Sequence, residues 1–389
     1  MSEAPIRLGV LGAGMIATVG YGVLPGLRHI PDKVEVLAIA DPALDRAREA
    51  AAAFGIPHAF ATLEEMLERV DMDAVINLTP IPFHGPTSIK ILQAGKHLAT
   101  EKPLATTMED ADAIVELARA QGLIVVCSPP NMLYPSRVEA RRLVREGAIG
   151  QVAFARVRGS HGGPASGDWP MDPTWFYQEG SGPLYDMGVY GIHEITGIVG
   201  PARRVVAFSG ITEPVRTVRG GPFKGKEIRV TADDNTVMML DFGNSAYAFV
   251  DGTFNVNAAK SPRVEIFGRA GTLNISQGGD PALEVYRLDA LPGLSGWTVP
   301  TLREVSSAQA RADKLRRGIL VDHLVDCIRG ASTPVLSAEH GRHALEIMLK
   351  AQESARGGRA LDLTTTFPEP DGAPEPARAG LGEERDPQP

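Results

Sequence analysis

Cysteine is nearly absent: 389 residues contain two, Cys127 and Cys327. They lie far apart and form no CxxC pair, which argues against a metal or redox role; both read as buried thiols in a reducing compartment. Nowhere does the sequence hint at a metal site. Long apolar runs are missing too. No stretch approaches the roughly 18–20 apolar residues that a bilayer span needs. The first residues, MSEAPIRL, lack the apolar core of a secretory signal. Positive charge is not in excess, with 39 Lys and Arg against 47 Asp and Glu and a net charge of -8. That removes the electrostatic case for nucleic acid and weakens the case for an anionic membrane surface. A soluble, cytoplasmic protein is expected. At 389 residues, 43% of them hydrophobic, the chain exceeds one ordinary core, so two domains are expected.

The N-terminal stretch LGVLGAGMIATVG is more informative. Leu8–Leu11 reads as a buried parallel strand running into Gly12-Ala13-Gly14-Met15-Ile16-Ala17. Gly12 permits a tight strand-to-helix turn, Gly14 leaves room for a pyrophosphate beside the backbone, and Ala17 supplies the small residue for helix–strand packing. Alone, the triplet is also compatible with an ordinary tight turn. A second strand, Val34–Ala40, ends at Asp41, where the adenosine ribose of a dinucleotide would be bound. Asp41 also suits a cap or turn before Pro42. Its carboxylate favours NAD over NADP, while Arg46 on the next helix keeps NADP open. Helices and strands then alternate: helix 43–53, strand 74–78 with Thr79 and Pro80 at its carboxyl end, helix 86–94, strand 97–100, helix 108–121 and strand 123–127. This is the pattern of a doubly wound parallel sheet. Residues 1–128 are thus expected to form a Rossmann dinucleotide-binding domain.

The stretch GKHLATEKP, residues 95–103, resembles the GKHVxxEKP signature of the Gfo/Idh/MocA oxidoreductases, which include glucose–fructose oxidoreductase, inositol dehydrogenase and dihydrodiol dehydrogenase. GAGMIA resembles that family's nucleotide loop, and Thr79–His84 its TPxxxH turn. Ala148-Ile149-Gly150 resembles its boundary element, Gly182–Tyr190 its GGxLxDxGxH helix, and Gly268–Leu273 its late strand turn. The resemblance runs through residues 6–363 in the right order. It places Gly12, Gly14, Met15, Ile16, Thr79, Pro80, His84, Glu101 and Lys102 around the cofactor, with Asp41 and Arg46. It also implies a cis Lys102–Pro103 bond that aims the lysine at the nicotinamide edge. There its ammonium can hydrogen-bond a substrate hydroxyl or relay its proton. Without the family, Lys102 and Glu101 also read as a surface ion pair.

On the helix after Gly182, Asp186, Tyr190 and His193 are spaced i, i+4, i+7, within roughly 40–60° of one another on a straight helix. A buried carboxylate, phenol and imidazole must be paired. They form either a self-satisfied network or an acid/base cluster facing the cofactor. The family more often has histidine where this chain has Tyr190; its glucose–fructose oxidoreductase and dihydrodiol dehydrogenase branches carry tyrosine there, as the proposed acid/base. A nearby Lys102 ammonium would favour the phenolate. His193 is a candidate substrate contact or second proton relay, and Trp175 a candidate aromatic face for a sugar.

Residues 129–365 alternate like half-buried strands at 151–159, 202–210, 236–242, 246–254, 263–267 and 283–286, with amphipathic helices at 320–329 and 338–355. This suggests an α+β domain built on a large, mainly antiparallel open sheet. The family architecture implies that one face covers the cofactor while the other pairs with a second copy, as a homodimer or homotetramer. Residues 366–389, rich in proline and charge, read as a disordered tail. The sequence thus predicts an NAD(P)-dependent oxidoreductase acting on a secondary alcohol or ketone of a small polyhydroxylated substrate, a sugar or cyclitol. The alternatives are a dihydrodiol or carbonyl reductase and a non-catalytic cofactor-binding regulator.

Overall fold

A computed structural model describes residues 4–276, 279–302 and 311–368. Six parallel strands come first: β1 (Ile6–Leu11), β2 (Val34–Ala40), β3 (His58–Phe60), β4 (Ala74–Asn77), β5 (His97–Thr100) and β6 (Val125–Cys127). Their spatial order is β3-β2-β1-β4-β5-β6. Leu8, Val10, Val75, Ile76, Leu98 and Ala99 are fully buried, because helices cover both faces of a parallel sheet. The order reverses between β1 and β4, whose paired ends Leu11 and Asn77 mark the crevice where such sheets bind ligands. The helix Met108–Gln121 shows why local sequence suffices here: Thr107 Oγ1 accepts the Asp110 N–H, and Gly122 ends the helix in the left-handed region.

The second sheet has nine strands: β7 (Val152–Arg158), β8 (Arg204–Gly210), β11 (Asn235–Gly243), β12 (Ala246–Thr253), β13 (Val264–Gly268), β14 (Gly271–Ile275), β15 (Leu283–Leu291), β16 (Leu294–Thr298) and β17 (Leu361–Asp362). A separate two-stranded ribbon joins β9 (Val215–Thr217) to β10 (Glu227–Arg229). The large sheet runs β16-β15-β14-β13-β7-β12-β11-β8-β17. It is antiparallel except at β7–β12. Its inner face, with Val205, Leu240, Val250, Val157, Ile266 and Leu273, is fully buried and carries the helix Val189–Val199. The first sheet and this face share one continuous core.

The chain ends by returning to the first sheet. The helix Ile319–Ile328 packs on β5 and β6, and Lys33 Nζ pairs with Asp322 at 2.9 Å. Cys127 and Cys327 are buried free thiols. Phe367 is buried against His340, so the packed chain continues past 365. Most of the expected tail, from 369, lies outside the described residues. Among the described residues no helix is long and apolar enough to cross a membrane, and no cluster of side chains is arranged to hold a metal.

Candidate active site

The nucleotide turn is built as the glycine spacing requires. Gly12 has φ +100°, and a Cβ there would stand 2.8 Å from the Leu78 carbonyl oxygen, so only glycine fits. A Cβ on Gly14 would meet nothing within 4 Å, which leaves open space for a pyrophosphate. Ala17 is fully buried. The helix after the turn is a single one, Met15–Thr18, and a second begins at Val23. Asp41 is buried at the tip of β2. Its carboxylate accepts the N–H groups of Ala13 and Ala43, both at 2.9 Å, and two bonds from Arg46 at 2.6 and 3.1 Å. Burial opposes that carboxylate, yet Arg46 and the two N–H groups hold its pKa below the ordinary value. Asp41 thus ties β2 to the nucleotide turn, while Arg46 stays about half exposed.

At the carboxyl end of β4, Asn77 Oδ1 accepts the Thr79 N–H at 3.2 Å and the Thr79 hydroxyl at 2.7 Å. His84 lies between the carbonyls of Pro103 and Thr79, with each ring nitrogen 2.7 Å from an oxygen. It is buried, and burial pushes its pKa down. His84 therefore braces the Thr79–Pro80 turn against the lysine loop from behind.

The Lys102–Pro103 bond is cis. Lys102 Nζ donates to Asp186 Oδ1 at 2.9 Å and to the Asp186 carbonyl at 2.7 Å, and stands 5.1 Å from the centre of the Tyr190 ring. Burial works against its ammonium, but Asp186, then Tyr190 and Glu101, outweigh this and raise its pKa. Glu101 is buried; its carboxylate accepts the Lys102 N–H at 3.2 Å and faces the Ser128 hydroxyl at 3.4 Å. The structure thus brings Glu101, Lys102, Asp186 and Tyr190 together.

His193 does not join them. The segment Leu184–Gly188 is a π turn, and the regular helix starts only at Val189. The wider turn breaks the straight-helix spacing across Asp186. Tyr190 and Glu194 share the face beside Arg263. His193 turns toward the helix Ala338–Gly357, where its ring lies 4.6 Å from His340. It is buried, its Nδ1 has no hydrogen-bond partner, and burial, then His343, push its pKa down to about 3. Trp175 packs on Phe176 at 4.1 Å. Among the described residues no hydrogen bond or ring contact links it to Lys102, Asp186 or Tyr190.

Sequence reasoning missed two arginines around Tyr190. Arg317 reaches the Tyr190 side chain from the C-terminal segment and pairs with Glu101 at 3.2 Å. Arg263, just before β13, lies 5.8 Å from the Tyr190 ring centre and 3.4 Å from Glu194. Glu194 is fully buried and also accepts from Arg137 Nε at 2.6 Å. No spacing rule joins positions 101, 190, 263 and 317: the large sheet brings Arg263 to Tyr190, and the return of the chain's end to the first sheet brings Arg317.

The site can hold a proton donor, a buried cation beside it and a dinucleotide across the β1–β4 crevice. Comparison with known proteins bears on the dinucleotide. A family of oxidoreductases with an NAD-binding Rossmann fold matches residues 6–128, and the GFO/IDH/MocA C-terminal domain matches residues 138–274. The chain is 28% identical to levoglucosan dehydrogenase of Pseudarthrobacter phenanthrenivorans over 294 residues, covering 69% of this chain and 73% of that protein. It is 24% identical to the NAD(+) scyllo-inositol 2-dehydrogenase of Bacillus subtilis over 362 residues, 93% of this chain and 97% of the relative. In fold it resembles the WlbA dehydrogenase of Bordetella pertussis, solved with NADH and UDP-GlcNAcA, at a TM-score of 0.76 and 21% identity over 94% of this chain and 99% of that one. The chain therefore belongs to the Gfo/Idh/MocA family of oxidoreductases, with an NAD-binding Rossmann domain ahead of the family's C-terminal domain.

Proposed function

We propose that the protein moves a hydride between a nicotinamide cofactor and a secondary alcohol or ketone on a sugar or cyclitol. The observation that carries this reading is the Lys102–Asp186 pair at 2.9 Å with the Tyr190 ring beside it. Gly12, Gly14 and Asp41 would hold the dinucleotide, which supplies the hydride acceptor when bound. The protein's own part is the proton. Tyr190 takes it from the substrate hydroxyl as the phenolate, or as the phenol gives it to the carbonyl oxygen in the reverse direction, and the cations Lys102 and Arg317 stabilise the negative charge in the site. Asp186 holds the lysine ammonium toward the phenol, and Glu101 anchors Arg317. The carboxylate of Asp41 favours NAD, and Arg46 leaves NADP within reach. Residues 1–128 serve the cofactor and 129–365 the substrate and assembly.

Polyol specificity is inferred from the relatives that act on levoglucosan and inositol. Absorbance of reduced nicotinamide tests it directly: NAD and NADP are each offered with sugars and cyclitols, and NADH and NADPH with the keto forms. Turnover of at least one polyol is expected. Cofactor binding without turnover of any panel member would overturn the reading.

The outer face of the large sheet supports self-association. Along one cross-strand row stand Tyr247, Phe154, Phe267, Thr272, Tyr286 and Trp297, and Phe208 on β8 is 77% exposed. Monomers rarely leave so broad an apolar face in water. A second copy with the same face is the occupant that covers it, as a homodimer or a dimer of dimers.

A further inference from the structure

His161 follows β7 where that strand leaves the sheet. The Gly159 N–H donates to the Asp251 carbonyl at 3.2 Å and to its carboxylate at 2.9 Å. Here the chain runs against the π turn that carries Asp186. A Cβ on Gly159 would stand 2.8 Å from the Met187 carbonyl oxygen and 2.9 Å from Gly188 Cα. Two residues on, the His161 ring stacks on Phe254 with centroids 5.4 Å apart. Phe254 belongs to a small second core with Phe176 and Tyr177, against which Met187 also packs. The ring is therefore fixed in plane beside the catalytic turn.

The proton on that ring is fixed as well. The Gly163 N–H donates to His161 Nδ1 at 2.8 Å, so Nδ1 presents its lone pair and the neutral ring carries its hydrogen on Nε2. Burial, with Lys102 and Arg263 acting against the pull of Asp186, lowers its pKa and keeps the ring neutral. These electrostatic neighbours are the same groups that surround Tyr190. Among the described residues Nε2 meets no hydrogen-bond partner. A donor of fixed direction, held rigid on its other side and left unused by the protein, is what a polar recognition point looks like.

We infer that His161 is a substrate-binding residue whose Nε2–H donates to a substrate hydroxyl adjacent to the reacting carbon, and so selects polyols that carry an oxygen there. The reacting oxygen itself is already served by Tyr190 and Lys102. The inference rests on the polyol reading above. It places in a loop after β7 the histidine role that the sequence had assigned to His193.

Two variants separate the donor from the architecture. In His161→Asn the amide oxygen takes the place of Nδ1 and keeps the Gly163 bond, but nothing reaches the Nε2 position. In His161→Gln the terminal amide restores a donor near that position. The kcat/KM is measured for scyllo-inositol, levoglucosan and glucose, and for deoxy counterparts lacking one hydroxyl beside the reacting carbon. NADH affinity and melting temperature are followed alongside. Losing the donor should lower kcat/KM about 10- to 100-fold on a hydroxylated substrate, since the substrate hydroxyl is left without its partner. The Asn variant should lose little on the matching deoxy compound, Gln should recover part of the loss, and NADH affinity should not change. Equal losses on both compounds, or none on either, would overturn the role of His161 while leaving the function standing. A parent enzyme inactive on every polyol would overturn the function, and the inference with it.

Discussion

Lys102 Nζ and Asp186 are joined twice, through the carboxylate at 2.9 Å and the main-chain carbonyl at 2.7 Å. One aspartate thus takes up two of the three ammonium hydrogens and leaves the third for the Tyr190 side. A lysine so held stabilises charge beside it without reorganising during the reaction. The proposed mechanism expects Tyr190 and Lys102 to act as a unit. Tyr190→Phe removes one oxygen and should leave cofactor affinity intact, while turnover falls by about 10²–10⁴-fold. Lys102→Ala should lose at least as much, and the double variant little more, because residues acting together are not additive. Steady-state kinetics of the three variants decide this. A Tyr190→Phe enzyme retaining more than about a third of parental turnover would remove Tyr190 from the mechanism.

The bonds at Asp41 give a cofactor prediction. All four of its acceptor positions are filled, two by backbone N–H groups and two by the half-exposed Arg46. A ribose hydroxyl must therefore displace Arg46, the one side chain among the three partners. Asp41→Ala should weaken NAD binding, since hydrogen bonds to charged groups are worth about 1.5–3 kcal/mol each. It should also lower stability by stranding two N–H groups. Arg46→Ala should leave NAD affinity equal or higher and lower NADP affinity. Calorimetric titration with both cofactors reads this. If Asp41→Ala binds NAD as the parent does, Asp41 does not hold the ribose.

Much of this was legible in the sequence. Gly12 has the positive φ and Ala17 the buried position that their spacing leads one to expect, and the helix Met108–Gln121 falls where its local signals put it. The Lys102–Asp186–Tyr190 cluster was recovered from two motifs 84 residues apart. What the sequence hid has physical causes. The π turn at Leu184–Gly188 depends on tertiary packing and rotates His193 out of the site. The strands β9, β10 and β17 have two or three residues each, too few for any alternation to register. β14, opened by Gly271, read only as a turn. Arg317 comes from a segment whose approach to Tyr190 depends on the helix Ile319–Ile328 docking on β5 and β6, a long-range contact with no local signature.

The exposed aromatic row yields a prediction about assembly. The parent should run as a dimer or tetramer at micromolar concentration. Phe208→Asp, which places a charge in the outer face where Phe208 is 77% exposed, should shift it toward monomer with little change in melting temperature. Light scattering coupled to size exclusion reads both. A monomeric parent would mean that no second copy covers this face.

The buried histidines behind the active-site helix should lower stability in acid. His193 and His340 lie 4.6 Å apart, and Phe367 packs on both His340 and His343. Burial, then His343, bring His193 down to about 3; burial brings His343 down to about 4 against the opposing pull of Glu346. In the unfolded chain a histidine titrates near 6.5. Above that pH neither state binds the proton and stability is full. As pH falls from about 6.5 toward 3–4, the unfolded chain gains protons that the folded one refuses, so stability must drop. Glu346 adds to the loss at lower pH. Burial opposes its charge, but Lys350, Thr365 and Thr364 hold its pKa at about 2, so its contribution fades below the ordinary carboxylate value. His193→Leu removes one of these proton sites. Between pH 7 and pH 5 the parent should lose about 2 kcal/mol more stability than this variant, read by urea unfolding at both pH values. Turnover should survive the substitution, because His193 faces the helix Ala338–Gly357 and not Lys102. An inactive His193→Leu enzyme whose stability keeps the parental pH slope would restore His193 to the proton path.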